Sequence, residues 1–333
     1  MATIHEIAKK VGVSSALVSR VLNGKPGVSP ENRQKILAAI QEAHYVPNAL
    51  ARSLVKQSTQ IIGVVMDDLC EKYFFQLIRG LQDMGEELGY NVVFCSGRSR
   101  MDVKYRYVDY FMEGRADGIV AFGSRLEDAP LIQHILKRAP HFVLIEGDMP
   151  GASFNRVRVN STGGAYRATK RLVDLGRKRI CHFTGDMSYN VSHERLAGFL
   201  AAMKDAGMPV EDGAVIRSDF EEPLACQRMN ELIRQGRMPD ACFAGADKTA
   251  YGIMRAVLEN GLRVPQDVAV IGFDDEEPDS RDMLFPGLTT MRQPLYEMGQ
   301  MGVKLLVRSL TTPGAAPQSV VFEPELVVRE SCP

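Results

Sequence analysis

The sequence contains no tryptophan, only six histidines and only six cysteines in 333 residues. Without tryptophan there is no indole fluorescence to report binding. The cysteines (Cys70, Cys95, Cys181, Cys226, Cys242, Cys332) are scattered, and no two stand at C-x-x-C spacing. That pattern excludes a zinc ribbon or a dithiol redox motif and suits reduced thiols in a cytosolic compartment. No apolar run reaches 18 residues, so no helical membrane span is expected. The first residues lack the apolar core of a signal peptide, so a cytoplasmic location is expected. G-x-S-x-G, Walker and G-x-G-x-x-G patterns are missing, so neither an enzyme nor a cofactor is expected. Asp274-Asp275-Glu276-Glu277 has no nearby His or Cys to complete a coordination set, so no metal site is expected. His182, with His193 and Asp186, could do acid–base work. His182 alternates with apolar neighbours in a strand, however, and reads as a core histidine.

The charge that is present is unevenly placed. Net charge is −1, with 45% hydrophobic and 24% charged residues, ordinary for a globular chain. Residues 1–60 carry eight Lys/Arg (Lys9, Lys10, Arg20, Lys25, Arg33, Lys35, Arg52, Lys56) against Glu6, Glu31 and Glu42, a net of +5. The remainder carries 32 bases and 38 acids, a net of −6. A basic head on an acidic body suits a polyanionic partner for the head alone. The length implies more than one domain.

Residues 1–46 read as three short helices. Thr3-Ile4-His5-Glu6 is a capping box ahead of apolar Ile7, Ala8 and Val11. Gly12 ends that helix. Ser14 caps the next, which carries Leu17, Val18, Val21 and Leu22 on one face. Asn23 to Gly27 is a loop. Ser29-Pro30 opens a third helix, with Ile36, Leu37, Ile40 and Ala43 expected to face inward. Residues 47–60 predict a linker with one short helix over Ala49 to Val55, marginal by itself. From residue 61 strands and helices alternate. Strands are expected at 61–66, 90–94, 118–122, 142–145, 179–184, 241–244 and 268–273, with helices such as 74–88, 163–175, 195–206 and 250–260 between them. Such alternation predicts parallel sheets covered by helices, with ligands at the carboxyl ends of the strands.

The turn at Gly12-Val13-Ser14 between two short helices fits a helix-turn-helix, whose second helix presents its first residues to base edges. Ser15, Ala16 and Arg20 lie on its polar side, and Arg20 can pair bidentately with guanine. Ser14, Ser19 and Asn23 can hold phosphates; Thr3 is grouped with them. A structural hairpin with a solvated Arg20 remains the alternative on spacing alone.

Gly12-Val13-Ser14 with Val18-Ser19-Arg20-Val21-Leu22-Asn23-Gly24, followed by Tyr45-Val46-Pro47-Asn48-Ala49-Leu50-Ala51-Arg52-Ser53-Leu54, resembles the lactose/galactose-repressor family of bacterial transcription regulators. Arg79-Gly80, Asp117-Gly118-Ile119, Arg195-Leu196-Ala197-Gly198-Phe199, Gly272-Phe273-Asp274-Asp275 and Leu288 to Gln293 continue the match in order, over about residues 3–330. The resemblance implies an α/β chain: a helix-turn-helix domain (1–46), a hinge helix and linker (47–60), and a two-lobed periplasmic-binding-protein-like body. The first lobe would be 61–159 plus 291–320, the second 160–290 plus 321–330. It further implies that Asn48, Ala51 and Leu54 act in the hinge on DNA, Leu54 as an apolar wedge between base steps.

For the effector site the resemblance implies Cys70, Tyr73, Phe74, Glu146, Arg195, Ala246, Asp274 and Gln293. Arg donates in a fixed fork and Asp only accepts, so Arg195 and Asp274 together can read a polyol. Tyr73 and Phe74 either stack on a sugar face or pack as core. Several positions depart from the family pattern. Ala246 replaces the usual Asn, Glu146 a common Asp, Leu17 a common Thr, and Glu71-Lys72 an Asn-Pro-like pair. Ser15 and Ala16 offer little direct readout. Lys72 is expected to be solvated, the alternative being an acidic or phosphorylated ligand. The implied function is a transcriptional regulator, a repressor by family habit, on a pseudo-palindromic double-stranded operator. Its effector would be a small sugar or sugar derivative, with induction favoured over corepression. A homodimer is implied, since no C-terminal heptad helix follows Val327. A solute receptor without a regulatory role is the competing reading.

Overall fold

The computed structural model describes residues 3–45, 58–123 and 125–333. These fall into two compact units, meeting in sequence between Thr59 and Gln60.

The first unit is a small helical domain. Helix α1 (Ile4–Val11) starts at the complete Thr3/Glu6 capping box and ends at Gly12, whose φ of 72° is left-handed. Helix α2 (Ser15–Leu22) is capped by Ser14, which accepts from the Leu17 amide. Helix α3 (Pro30–Glu42) follows the Ser29 cap with proline in its first turn. Their apolar faces meet in one core of Ile7, Ala8, Val18, Val21, Ile36 and Ala39. Leu37, expected inside, is 49% exposed. The three-helix core is too small to cover a wide stripe on α3, and Ile36 and Ile40 already occupy the contact.

The second unit holds two six-stranded sheets. The first is built from β1 (Ile61–Met66), β2 (Asn91–Ser96), β3 (Gly118–Phe122), β4 (Phe142–Ile145), β5 (Asn155–Val159) and β11 (Ser319–Phe322). Its order is β11-β5-β4-β3-β1-β2, all parallel. The second combines β6 (Ile180–Thr184), β7 (Val215–Arg217), β8 (Ala241–Ala244), β9 (Ala269–Asp274), β10 (Thr289–Arg292) and β12 (Glu325–Val327), in the order β12-β10-β9-β8-β6-β7. Only the β10–β12 pair is antiparallel. The strands at 61–66, 118–122, 142–145 and 241–244 match the hydrophobic runs residue for residue. Those runs are continuous because central parallel strands are buried on both faces.

Around the first sheet lie α4 (Phe75–Glu87), α5 (Met101–Met112), α6 (Ala129–Arg138) and α11 (Leu295–Thr311). Around the second lie α7 (Ser161–Asp174), α8 (Asn190–Asp205), α9 (Glu222–Arg234) and α10 (Asp247–Glu259). Helices α4 and α11 approach closely because glycines face each other. A Cβ on Gly80 would lie 2.0 Å from the Tyr296 carbonyl oxygen, and one on Gly299 2.4 Å from that of Leu77. The chain crosses between lobes three times. Strand β10 belongs to the second sheet and β11 to the first, so the last two crossings fall after Arg292 and after Phe322, two residues beyond the expected boundaries at 290 and 320. The family-like run Thr289-Thr290-Met291-Arg292 is the strand itself, which pairs with β9 to its end before the chain leaves.

Candidate functional site

In the helical domain, the first turn of α2 exposes Ser14 and Ala16, with Arg20 exposed one turn on. Ser15 is half-buried, its hydroxyl 2.9 Å from His5 Nδ1. Asn23 donates to the Ser19 carbonyl at 2.8 Å and to its hydroxyl at 3.3 Å. Ser19 and Asn23 therefore fix the end of α2, and Ser14 fixes its start. Thr3 sits at the start of α1, in its own cap. Asn48, Ala51 and Leu54 lie outside the described residues.

In the second unit the two sheets meet at a cleft of about 370 Å³. Its walls are the residues that follow strand ends: Asp67 and Asp68 after β1, Phe122 at the end of β3, Glu146 after β4, Asp186 after β6, Ala246 after β8 and Asp274 closing β9. Parallel strands put every carboxyl end on one edge, and a crevice forms where the chain turns away there. The backbone at this edge is held in unusual conformations. Glu146, Asp219, Phe220 and Asp274 all have positive φ (58°, 54°, 62° and 121°). Left-handed non-glycine residues cost about 1–3 kcal/mol each and cluster where a ligand site demands them.

One wall is aromatic. Tyr73, Phe74 and Phe122 pack edge to face, with centroids 5.1 Å (Tyr73–Phe74) and 4.9 Å (Phe74–Phe122) apart. The facing lobe brings Tyr189 and Phe220, 5.9 Å apart. Deep between them Arg195, 4% exposed, lies over the Phe273 ring at 3.9 Å and donates to the Gly245 carbonyl and, at 3.3 Å, to Asp274. Gln293 donates to the same Asp274 oxygen at 2.6 Å. Burial raises the Asp274 carboxyl to about 6, with Arg195 pulling the other way. Burial, then the nearby Glu194, raises Glu146 to about 7; its Oε1 accepts from the Val159 amide at 3.1 Å.

The lobes are tied across the cleft. Lys248 pairs with Glu71, and Lys72 with Asp279. Arg125 bonds Asp67 at 3.1 Å on its own lobe, reaches the Ser188 hydroxyl at 3.2 Å and lies over the Tyr189 ring at 4.3 Å. The Leu126 amide donates to the Ser188 carbonyl at 2.8 Å, and Arg158 to Glu194 at 2.8 Å. This is a closed arrangement of the two lobes.

Of the residues expected at the effector site, Tyr73, Phe74, Glu146, Arg195, Ala246 and Asp274 line the cleft. Cys70 does not: its side chain is exposed and its amide is turned onto Asp68 Oδ1 at 2.9 Å, so its neighbours Asp68 and Glu71 face the cleft instead. Gln293 is not in the wall either. It stands behind it, bonded to Asp274 and within 3.5 Å of the Tyr73 hydroxyl. Lys72 is engaged by Asp279 and does not line the cleft. Arg125, Phe220, Lys248 and Glu276 line it without having been singled out. Glu276 belongs to the acid run at 274–277. Arg125 and Phe220 sit in loops without local periodicity, and nothing short of the assembled fold marks them. His182 is fully buried, stacked on Phe243 at 4.7 Å, with Nδ1 donating to the Phe243 carbonyl at 3.0 Å. Burial lowers its pKa to about 4, so it is a neutral core histidine. The acid run at 274–277 splits: Asp275 bonds Arg292 and Arg329, each at 2.7 Å, away from Asp274. Among the described residues no His/Cys/Asp/Glu group could hold a metal, and no helix is long and apolar enough to cross a membrane.

A capped helix-turn-helix joined in sequence to a two-lobed cleft defines a DNA-binding transcriptional regulator under small-molecule control. The comparisons agree. Residues 3–48 match the family described as "Bacterial regulatory proteins, lacI family", and residues 169–332 the "Periplasmic binding protein-like domain". The HTH-type transcriptional repressor PurR of Serratia proteamaculans (strain 568) is 32% identical, over 99% of this chain and 97% of its own. Catabolite control protein A of Priestia megaterium is 29% identical over 92% of each. Among solved structures, the Lac repressor dimer bound to operator and the anti-inducer ONPF aligns over 99% of both chains with a TM-score of 0.87 and 26% identity. The transcriptional regulator CelR–cellobiose complex aligns with a TM-score of 0.73 and 29% identity, covering 99% of this chain and 100% of that one. The chain belongs to the lacI family of bacterial regulatory proteins.

Proposed function

We propose that this chain is a cytoplasmic, non-enzymatic repressor that binds a pseudo-palindromic operator as a homodimer and responds to a small sugar or sugar derivative held between its lobes. The observation that carries the effector half is the Arg195–Asp274 pair, buried beneath aromatic walls at the strand ends. A fork of donors beside an acceptor, with ring faces above, suits a polyhydroxylated ring. The matched regulator solved with cellobiose supports a sugar. In the head, Ala16 and Arg20 reach base edges, Ser14, Ser19 and Asn23 hold phosphates, and Ser15 contributes from beside His5. One recognition helix covers half of a two-fold site, so two chains are needed. The hinge role of Asn48, Ala51 and Leu54 rests on the sequence resemblance.

Effector control is a population shift. The ligand favours whichever lobe arrangement it binds better, and can move the DNA-binding equilibrium only by that difference in affinity. Release of operator by the ligand is the expected direction. Gel retardation on a family-type operator, with the full chain and with a chain starting at Ile61, tests the reading. Retardation by the full chain alone supports a regulator; retardation by neither points to a solute receptor.

A further inference from the structure

The charge balance of the cleft is one-sided. Among the described residues, nine that line it are carboxylates and three are bases. Each base already has a carboxylate partner: Arg125 with Asp67 at 3.1 Å, Arg195 with Asp274 at 3.3 Å, and Lys248 with Glu71. Of the other acids, Asp219 pairs with Arg217 at 2.6 Å and Asp186 lies 3.9 Å from Arg125. That leaves Asp68, Glu146, Glu221 and Glu276 with no base within 4 Å among the described residues. Glu221 is exposed and its charge is screened by water. Glu146 is only 6% exposed and Glu276 is partly buried, so theirs is not.

A second observation points to what completes the site. The Nε–H of Arg195 is buried and without a partner among the described residues, although both terminal nitrogens of the same guanidinium are engaged. A buried donor without an acceptor is unfavourable, so an oxygen that reaches it as the lobes part is favoured. The site thus asks for two things at once: an acceptor such as a hydroxyl oxygen at Arg195, and positive charge toward Glu146 and Glu276. A phosphate or carboxylate would meet four unpaired acids and no free base. A neutral sugar would satisfy Arg195 but bring no charge to Glu146 or Glu276, which only the more distant Arg195, Arg158, Lys248 and Lys72 offset.

We infer that the effector carries a cationic nitrogen on a hydroxylated ring, an amino sugar by chemical class, seated between Arg195 and the unpaired carboxylates Glu146 and Glu276. This rests on the cleft being the effector site. Burial pushes both carboxyls up to about 7, and a nearby ammonium would restore their ionised forms. Hydrogen bonds to charged groups contribute about twice as much as neutral ones, so the amine, more than the hydroxyls, would set selectivity.

The test is thermal unfolding of the full chain at pH 7 with matched sets of one skeleton: glucose, glucosamine and glucose 6-phosphate, and the same for galactose and mannose, with putrescine as an amine lacking a ring. The expected result is the largest stabilisation from an amino sugar, with affinity weakened about tenfold in Glu276→Gln and in Glu146→Gln. A neutral or phosphorylated sugar as the strongest binder overturns the charge assignment and leaves the sugar reading standing. Putrescine alone as the binder overturns the sugar and keeps the charge. Ligand-free unfolding at pH 8 is measured alongside. There, removing uncompensated charge raises the midpoint of each Glu→Gln variant by roughly 2 °C, and a midpoint unchanged or lowered in both overturns the inference whatever the panel shows.

Discussion

Arg195 is bound into the fold at the same place where the proposed effector site lies. Its guanidinium spans a carbonyl, a carboxylate and an aromatic face while almost fully buried. Arg195→Ala removes the fork and leaves Asp274 buried beside Gln293 alone. Breaking such a pair costs about 3–5 kcal/mol. The variant is therefore expected to lose its ligand-induced thermal shift and to melt lower, while operator retardation by the ligand-free protein persists at permissive temperature. Arg195→Lys is not expected to restore the ligand response, because an ammonium cannot reproduce the planar fork. His182 allows a separate check at the same scale. Its folded pKa near 4 lies below the ordinary 6.5. Its contribution is therefore fully present above pH 6.5 and is lost as pH falls toward 4, when the unfolded chain takes up a proton that the folded chain does not. Glu146 and Glu276 act in the opposite sense: their raised values favour folding at low pH and lose that effect as pH rises through 7. The difference between wild type and His182→Gln isolates the histidine. The stability of the variant relative to wild type should improve from pH 7 to pH 4, by up to about 3 kcal/mol, as read from denaturant unfolding at each pH.

Helices and strands differ in how openly the sequence announces them. The α1 and α2 boundaries follow from Thr3, Glu6, Gly12 and Ser14, each of which makes the cap its side chain allows. Strands β1, β3, β4 and β8 follow from uninterrupted apolar runs. Strand β5 (Asn155–Val159) alternates Arg with Val, and its arginines pair with Asp148 and Glu194 only once the lobes have formed. The facing glycines of α4 and α11 are a tertiary requirement that no local pattern states. Gly80→Ala would drive a methyl into the Tyr296 backbone, which has no rotamer to yield. Despite alanine's better helix propensity, the variant should unfold several degrees lower in calorimetry, a loss of about 1–3 kcal/mol. An unchanged midpoint would mean that the two helices can slide apart without cost.

The whole molecule joins a basic head to an acidic body, and the two halves answer salt differently. Phosphate contacts from the head release counterions, so operator affinity should fall steeply between 50 and 200 mM salt, by on the order of a thousandfold for six or more contacts. Ligand affinity in the buried cleft should change far less, since buried charges are poorly screened. Parallel titrations by fluorescence anisotropy of labelled operator and by calorimetry of ligand would show the contrast; equal slopes would place the ligand at an exposed site.

The sequence by itself determined a helix-turn-helix head and the alternating body, which are legible because caps, turns and periodicity act within a few residues of chain. Six of the residues that line the cleft followed only from the family resemblance, since no local pattern marks them. The sequence also separated the head's charge from the body's. Only the tertiary structure decided that Cys70 turns outward while Asp68 and Glu71 face in, and that Gln293 braces Asp274 from behind. The same holds for Arg125 and Lys248, which tie the lobes together and leave Glu146 and Glu276 with no base within 4 Å among the described residues. Those outcomes depend on which strand ends meet across a gap, and that pairing joins residues from 19 (Gln293–Asp274) to 177 (Lys248–Glu71) positions apart, where no local spacing can register it.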